Sequence, residues 1–94
     1  MTKDKYGAGK IKKLDMNMEL DLHAMTVDEA LPLLYDYLND AFLAGLKEVR
    51  IVHGKGTGTL RQAVMRELKK HPLVKSFRIG GRFEGSTGAT VVLL

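Results

Sequence analysis

The chain has 94 residues, which suffice for one domain with a single modest core. Hydrophobic residues make up 45% of it, but no apolar run approaches the roughly 20 residues of a membrane-spanning helix, so we expect no membrane partner. The absence of cysteine excludes a disulfide framework and a thiolate metal site, and the net charge of +4 permits a polyanionic partner without requiring one.

Residues 1–17 are polar and contain five lysines and two glycines. We interpret them as a flexible basic arm or linker, and residues 18–94 as the folded domain. These first residues lack the apolar core of a signal peptide, so we expect a cytoplasmic location.

Alternation of apolar and polar residues from Met18 to His23 predicts the first strand. Met18, Leu20 and Leu22 are expected to face the core. Asp21 and His23 would then be neighbours on the opposite face, because side chains two positions apart on a strand point the same way.

A helix is predicted after this strand, because Thr26 and Glu29 fit a capping box. Gly45 is a natural stop for it. Pro32 lies beyond the first turn, where it removes a backbone donor, so the pattern predicts either a kink or a later start of the regular helix. The apolar stripe expected to face the core comprises Val27, Ala30, Leu31, Leu34, Leu38, Ala41 and Phe42.

The rest of the chain alternates strand, loop and helix patterns. They predict strands over 48–53, 74–79 and 89–94, a glycine loop over 54–58, a helix from there to about residue 70, and a second glycine-rich loop over 80–88. The order β-α-β-α-β-β favours right-handed crossovers between parallel strands. We therefore predict an α/β two-layer sandwich, with a mixed four-stranded sheet and both helices on one face.

The glycine loop lies between a strand and a helix, where free N–H groups and the helix dipole favour an anion. Its spacing, GxGxG, matches neither the dinucleotide fingerprint nor a Walker A loop, which makes a small-nucleotide binder the weakest interpretation. Cationic side chains flank it. The residues predicted to hold a phosphate are Gly54, Lys55, Gly56, Thr57, Gly58 and Arg61.

Two histidines, His23 and His53, each end a predicted strand. If those strands are parallel neighbours, both imidazoles lie at the carboxyl edge of the sheet beside the loop, where α/β proteins place ligands. Asp21 could orient His23 as a general base or acid. Asp21, His23 and His53 are the candidate catalytic residues. The same three side chains are weak as a metal site, so we predict no metal ligands.

Several of these motifs, in this order, resemble the Smr (small MutS-related) domain family. They are Leu20-Asp21-Leu22-His23, the helix start at Thr26, His53-Gly54-Lys55-Gly56-Thr57-Gly58, and Gly88-Ala89-Thr90-Val91-Val92. The resemblance covers residues 18–94 and is strongest to the form that ends a bacterial MutS paralogue. Two positions depart from the family pattern: Ala24 replaces a glycine, and Leu93 replaces a frequent acidic residue.

The resemblance implies an endonuclease domain that nicks DNA, or RNA in other members. For the MutS-paralogue form it implies action on branched DNA, suppression of recombination and work on stalled ribosomes. It also implies that this chain is the C-terminal part of a larger MutS-like protein or a stand-alone domain, and we expect a monomer in isolation. The LDxH motif falls on Leu20, Asp21 and His23, and the HGxGxG motif on residues 53–58.

We therefore predict a phosphodiesterase in which the glycine loop holds a backbone phosphate and Asp21 and His23 handle the proton. The alternative is a non-catalytic module that binds nucleic acid or a ribosome. The residues leave open the choice between DNA and RNA, and whether a divalent metal such as magnesium or manganese is a cofactor.

Overall fold

The protein is described by a computed structural model that covers residues 18–94. The arm predicted for residues 1–17 lies outside the described residues. The elements are β1 (Glu19–Asp21), α1 (Val27–Leu43), β2 (Glu48–Val52), α2 (Thr59–Lys70), β3 (Ser76–Ile79), a 3-10 turn (Ser86–Gly88) and β4 (Ala89–Leu93). The predicted order of strands and helices is confirmed, and each strand is one to three residues shorter than its sequence pattern.

The four strands form one mixed sheet in the order β1-β2-β4-β3. β1 is parallel to β2, whereas β4 is antiparallel to both β2 and β3. β1, β2 and β3 therefore all point the same way. Their carboxyl ends lie along one edge of the sheet, which we call the site edge, and His23, His53 and Gly80 follow the three strands there.

One hydrophobic core lies between the sheet and the two helices, which pack against each other. Its buried members come from both helices and from three of the strands, with Leu22 and Leu94 beside them: Leu20, Leu22, Ala30, Leu34, Tyr37, Leu38, Ala41, Val49, Ile51, Val64, Leu68, Val92 and Leu94. Because strand side chains alternate between faces, the buried set places both helices over the same face of the sheet. The predicted two-layer α/β fold is confirmed.

Helix α1 begins at the predicted capping box. The Thr26 hydroxyl accepts the Glu29 N–H at 3.2 Å, and the Glu29 carboxylate accepts the Thr26 N–H at 3.0 Å. The helix then continues through Pro32, so the alternative of a later start is wrong. Pro32 is exposed, and packing of the apolar stripe outweighs the one missing backbone donor.

Two expectations about the core are wrong. Met18 precedes the first residue of β1 and is 57% exposed. Phe42 is 46% exposed at the end of α1, although it belongs to the predicted stripe. Tyr37, off that stripe, is fully buried, and desolvation raises the pKa of its hydroxyl.

In the part of the chain from residue 18 onward, neither helix is long and apolar enough to span a bilayer.

Candidate active site

Asp21 and His23 form a hydrogen-bonded pair at the end of β1. The Oδ1 atom of Asp21 lies 2.6 Å from His23 Nδ1 and also accepts the backbone N–H of His23 at 3.0 Å. Since an ionised carboxylate only accepts, Nδ1 carries the hydrogen. The hydrogen bond from the imidazole, aided by the backbone bond, holds the pKa of Asp21 below its usual range.

The other nitrogen of His23, Nε2, takes no part in the hydrogen bond to Asp21. The His23 side chain is 64% exposed, and among residues 18–94 Nε2 has no hydrogen-bond partner. A neutral imidazole with its proton fixed on Nδ1 presents a lone pair at Nε2. The pair is therefore arranged as a general base whose orientation is set by a carboxylate.

The glycine loop lies directly beside His23. A methyl group on Gly54 would lie only 3.4 Å from His23 Cβ, and Gly54 has a φ of +83°, which favours glycine. The loop is fastened to the start of β4, because the N–H groups of His53 and Gly54 both donate to the Gly88 carbonyl, at 3.0 and 2.9 Å. These contacts bring together two sequence motifs about thirty residues apart.

His53 is placed differently from His23, although both follow parallel strands. It is 5% exposed, its Nδ1 donates to the Gly54 carbonyl at 3.0 Å, and its Nε2 lies 2.9 Å from the Thr90 hydroxyl. The carbonyl can only accept, so in the neutral ring Nε2 accepts the hydroxyl proton of Thr90. Both ring nitrogens are therefore engaged in holding the loop to β4.

The N-terminus of α2 is open for an anion. Its N-cap is Gly58, with a φ of +88°, which has no side chain to cap the helix, and the Thr57 hydroxyl accepts the Thr59 N–H at 3.4 Å. Gln62 donates the first helical hydrogen bond, to Gly58, so the N–H groups of Leu60 and Arg61 precede the helical ladder. Helix α1 differs, because Thr26 and Glu29 already cap it and its first turn is acidic. Of the two helix N-termini, that of α2 is the one suited to an anion.

A cavity of about 450 Å³ lies between the β1–α1 turn and the glycine loop. Its lining includes residues 24–27 on one side and residues 53–61 on the other. Arg61 folds back over the loop, since a methyl group on Gly58 would lie 3.3 Å from its Nη2 atom, and the stem of Lys55 lies against Gly88. Neither Lys55 nor Arg61 forms an ion pair within residues 18–94. Two uncompensated cations thus adjoin the open helix N-terminus.

The turn after His23 explains why a glycine at position 24 would suit this fold. Ala24 has a φ of +65°, in the left-handed region where a β-carbon costs about 1–2 kcal/mol. The backbone there must turn sharply from β1 into the cap of α1. Ala24, which departs from the family pattern, therefore adopts the left-handed conformation itself and is strained there.

Among residues 18–94, no three His, Asp or Glu side chains converge as a metal-binding group. Asp21 and His23 form one donor pair, and His53 turns both nitrogens to protein partners.

Two residues that hold the site together belong to a motif of the family resemblance, but the sequence assigned neither of them a role at the site. Gly88 accepts two loop hydrogen bonds through its carbonyl, and Thr90 is the partner of His53. The sequence shows only a glycine and a β-branched residue entering a strand, which are ordinary there. Their roles depend on the pairing of β2 with β4, which aligns Val52 with Ala89 and would have to be known before the two residues could be assigned to the site.

Comparison with known proteins gives consistent matches. The profile of the Smr domain matches residues 20–94. The chain is 51% identical over 84 residues to the endonuclease MutS2 of Caldicellulosiruptor bescii and 52% identical over 85 residues to that of Geobacillus thermodenitrificans. These alignments cover 89% and 90% of this chain but 11% of each relative, so the chain spans about a tenth of their length.

Solved structures agree with the sequence matches. The crystal structure of the Smr domain of Thermus thermophilus MutS2 has a TM-score of 0.78 at 45% identity, covering 81% of this chain and 95% of that one. YdaL, a stand-alone small MutS-related protein from Escherichia coli, has the same TM-score at 28% identity, covering 82% of this chain and 63% of that one. The profile match, the relatives and the shared fold agree with the motifs at the site edge: this chain belongs to the Smr domain family.

Proposed function

We propose that this domain is an endonuclease that nicks nucleic acid, with DNA as the first substrate to test. The observation that carries the proposal is the Asp21–His23 pair, which lies beside the glycine loop: a methyl group added to Gly54 would be 3.4 Å from His23 Cβ. An oriented base beside an anion site is what hydrolysis of a phosphodiester requires. The names of the relatives, endonuclease MutS2, support the same class of chemistry.

In the proposed reaction, His23 Nε2 takes a proton from a water molecule as the water oxygen forms a bond to phosphorus. The bond between phosphorus and the leaving sugar oxygen breaks, and that oxygen takes a proton from solvent. Asp21 stabilises the imidazolium through Nδ1 and fixes the ring orientation. His53 is a positioning residue in this scheme, because it holds the loop through its two hydrogen bonds.

The glycine loop stabilises the phosphate in the same scheme. The free N–H groups at the start of α2 face the non-bridging oxygens, and Lys55 and Arg61 neutralise the charge that grows on them. These contacts recognise the backbone and carry no base information, so binding is expected to weaken steeply with salt and to depend little on sequence.

The direct test is nicking of supercoiled plasmid by rigorously purified protein, with and without magnesium or manganese. His23→Ala should lower the rate about 100- to 10,000-fold, which is the contribution of a general base. Asp21→Asn should also lower it, because the amide oxygen still accepts from His23 but no longer stabilises the imidazolium. Both side chains are more than half exposed, so the free energy of unfolding should change by less than about 0.5 kcal/mol.

Glu67→Gln is the control for loss of a carboxylate away from the site edge: Glu67 lies in the far half of α2, its side chain is 18% exposed, and its carboxylate is 3.7 Å from Lys70 Nζ. It should nick at the wild-type rate. Nicking that survives both Asp21→Asn and His23→Ala would overturn the assignment. Protein that shifts a labelled duplex or hairpin in a gel but cuts neither would instead be a non-catalytic binding module.

The relatives are about eight times as long as this chain, because the aligned 84 and 85 residues make up 11% of each. Action on branched DNA, suppression of recombination and contact with ribosomes therefore belong to the proposal. Cleavage of matched DNA and RNA hairpins separates the two substrate classes. A separate experiment, co-sedimentation of the protein with purified ribosomes, tests the ribosomal partner.

A further inference from the structure

Phe83 is the most exposed large hydrophobic side chain of the described residues, at 89%. It lies in the loop that joins β3 to β4, between residues 80 and 88. A phenyl ring left in water contributes nothing to the core and costs solvation free energy. The ring is therefore accessible to a partner in solution.

The loop that carries Phe83 is tightly hydrogen-bonded. The Arg78 guanidinium donates to both carboxylate oxygens of Glu84, at 2.8 and 3.0 Å, and the Gly81 N–H donates to the same carboxylate at 2.8 Å. The N–H groups of Glu84 and Ser86 donate to the Gly81 carbonyl. The backbone on either side of Phe83 is thus fixed before any partner arrives, which lowers the entropic cost of binding.

The charges around Phe83 favour an anionic partner. Glu84 is already neutralised by Arg78, whereas Arg82 forms no ion pair within residues 18–94. The Arg82 guanidinium lies 6.0 Å from the centre of the Phe83 ring, at the limit of a cation–π contact. An apolar ring and a free planar cation are therefore presented together.

This loop belongs to the site edge. Its ends are joined by the hydrogen bond from the Gly80 N–H to the Ala89 carbonyl, and Gly88 accepts the N–H groups of His53 and Gly54. Gly88 is five positions after Phe83, so their Cα atoms lie within about 18 Å of each other. That distance corresponds to roughly five nucleotides of a strand that rises 3.4 Å per nucleotide. A strand held at the glycine loop can reach Phe83.

We propose that Phe83 and Arg82 form a stacking platform for an unpaired nucleobase of the strand whose backbone lies on the glycine loop. This inference rests on the proposed function, since it assumes a nucleic-acid ligand, and it names the ligand class as nucleic acid with an unstacked base near the cleavage point. Aromatic rings and arginine planes bind the faces of unpaired bases in this way, whereas bases inside a duplex keep their faces covered.

The first test compares the affinities of Phe83→Ala and wild-type protein for a single-stranded oligonucleotide and for a blunt duplex, by fluorescence anisotropy. Loss of one aromatic stacking partner should weaken single-strand binding about 5- to 150-fold. Duplex binding should change by less than about twofold. Phe42→Ala is the matched control: this phenylalanine is 46% exposed at the C-terminal end of α1, opposite the site edge, and its loss should change neither affinity.

The second test uses the absence of tryptophan from the sequence. Phe83→Trp introduces a single indole, whose fluorescence should be quenched by stacking when DNA or RNA single strands are added, and much less by duplex. Unchanged fluorescence with every oligonucleotide, or equal loss of single-strand and duplex affinity in Phe83→Ala, would overturn the proposal.

A further variant separates this inference from the function on which it rests. Arg61→Gln should weaken single-strand and duplex binding alike, because it removes a backbone contact. If Arg61→Gln loses affinity while Phe83→Ala binds as the wild type does, the stacking platform is wrong and the phosphate site stands. If the wild-type chain binds no nucleic acid at low salt, the proposed function fails and the stacking proposal fails with it.

Discussion

Replacement of Thr90 by valine tests whether the buried His53–Thr90 hydrogen bond holds the glycine loop. Thr90 is 1% exposed and His53 is 5% exposed, and the two side chains meet at 2.9 Å. Valine keeps the shape of threonine but has no hydroxyl. The Nε2 atom of His53 then becomes a buried acceptor without a donor, which costs about 1–3 kcal/mol.

Taking the middle of that range, we expect Thr90→Val to lower the free energy of unfolding by about 2 kcal/mol. In a domain of this size that corresponds to a fall in Tm of about 8–16 °C. Thermal unfolding followed by circular dichroism, with urea titration as a second measure, gives the number. Nicking should also slow, because the loop that His53 positions loses part of its support.

A double-mutant cycle with His53→Phe isolates the hydrogen bond from the effects of packing. Phenylalanine keeps an aromatic ring but has no Nε2 atom to accept the hydrogen bond from Thr90. In the His53→Phe background, Thr90→Val should therefore lower the free energy of unfolding much less. We expect a coupling free energy of at least about 1 kcal/mol. If the costs of the two substitutions add to within about 0.5 kcal/mol, the bond does not fasten the loop and this account of His53 is refuted.

Two further predictions concern the turn and the loop on either side of the site. Ala24→Gly should raise the free energy of unfolding by about 0.5–1 kcal/mol in urea titration, because relief of left-handed strain exceeds the added freedom of the unfolded chain. Gly45→Ala makes the opposite change at a φ of +85°, with free space around the added methyl group, and should lower the free energy of unfolding. The hydrogen bonds from Arg78 lower the pKa of Glu84 to about 2, from 4.5. This pair therefore stabilises the fold fully above pH 4.5 and loses its effect as the pH falls towards 2, so Glu84→Gln should flatten the acid limb of a stability–pH profile; a limb as steep as that of the wild type would contradict this.

Much of the fold could be predicted because its signals are local. The capping box of Thr26 and Glu29 sets the start of α1, and alternation of apolar residues marks Leu20, Val49 and Ile51 as core. Met18 could not be predicted in this way. It continues the alternation but is 57% exposed, because burial of a strand residue depends on where the helices pack on the sheet.

The two histidines show the same division at the candidate site. By sequence, His23 and His53 each end a predicted strand, so they are equivalent candidates. The structure exposes His23 beside Asp21 and buries His53 against Thr90. The difference arises because β1 is an edge strand of the sheet, whereas β2 lies between β1 and β4.

The sequence by itself determined the order of the elements, most of the core face of each and the position of the glycine loop at residues 54–58, since these depend on side-chain period and on glycine spacing. Only the tertiary structure decided that Gly54 lies beside His23, that Gly88 fastens the loop, and that the ring of Phe83 is left in water. The approach of Gly54 to His23 follows from the pairing of β1 with β2, and the hydrogen bonds to Gly88 follow from the insertion of β4 between β2 and β3. Each joins residues about thirty or more positions apart, which no local pattern encodes.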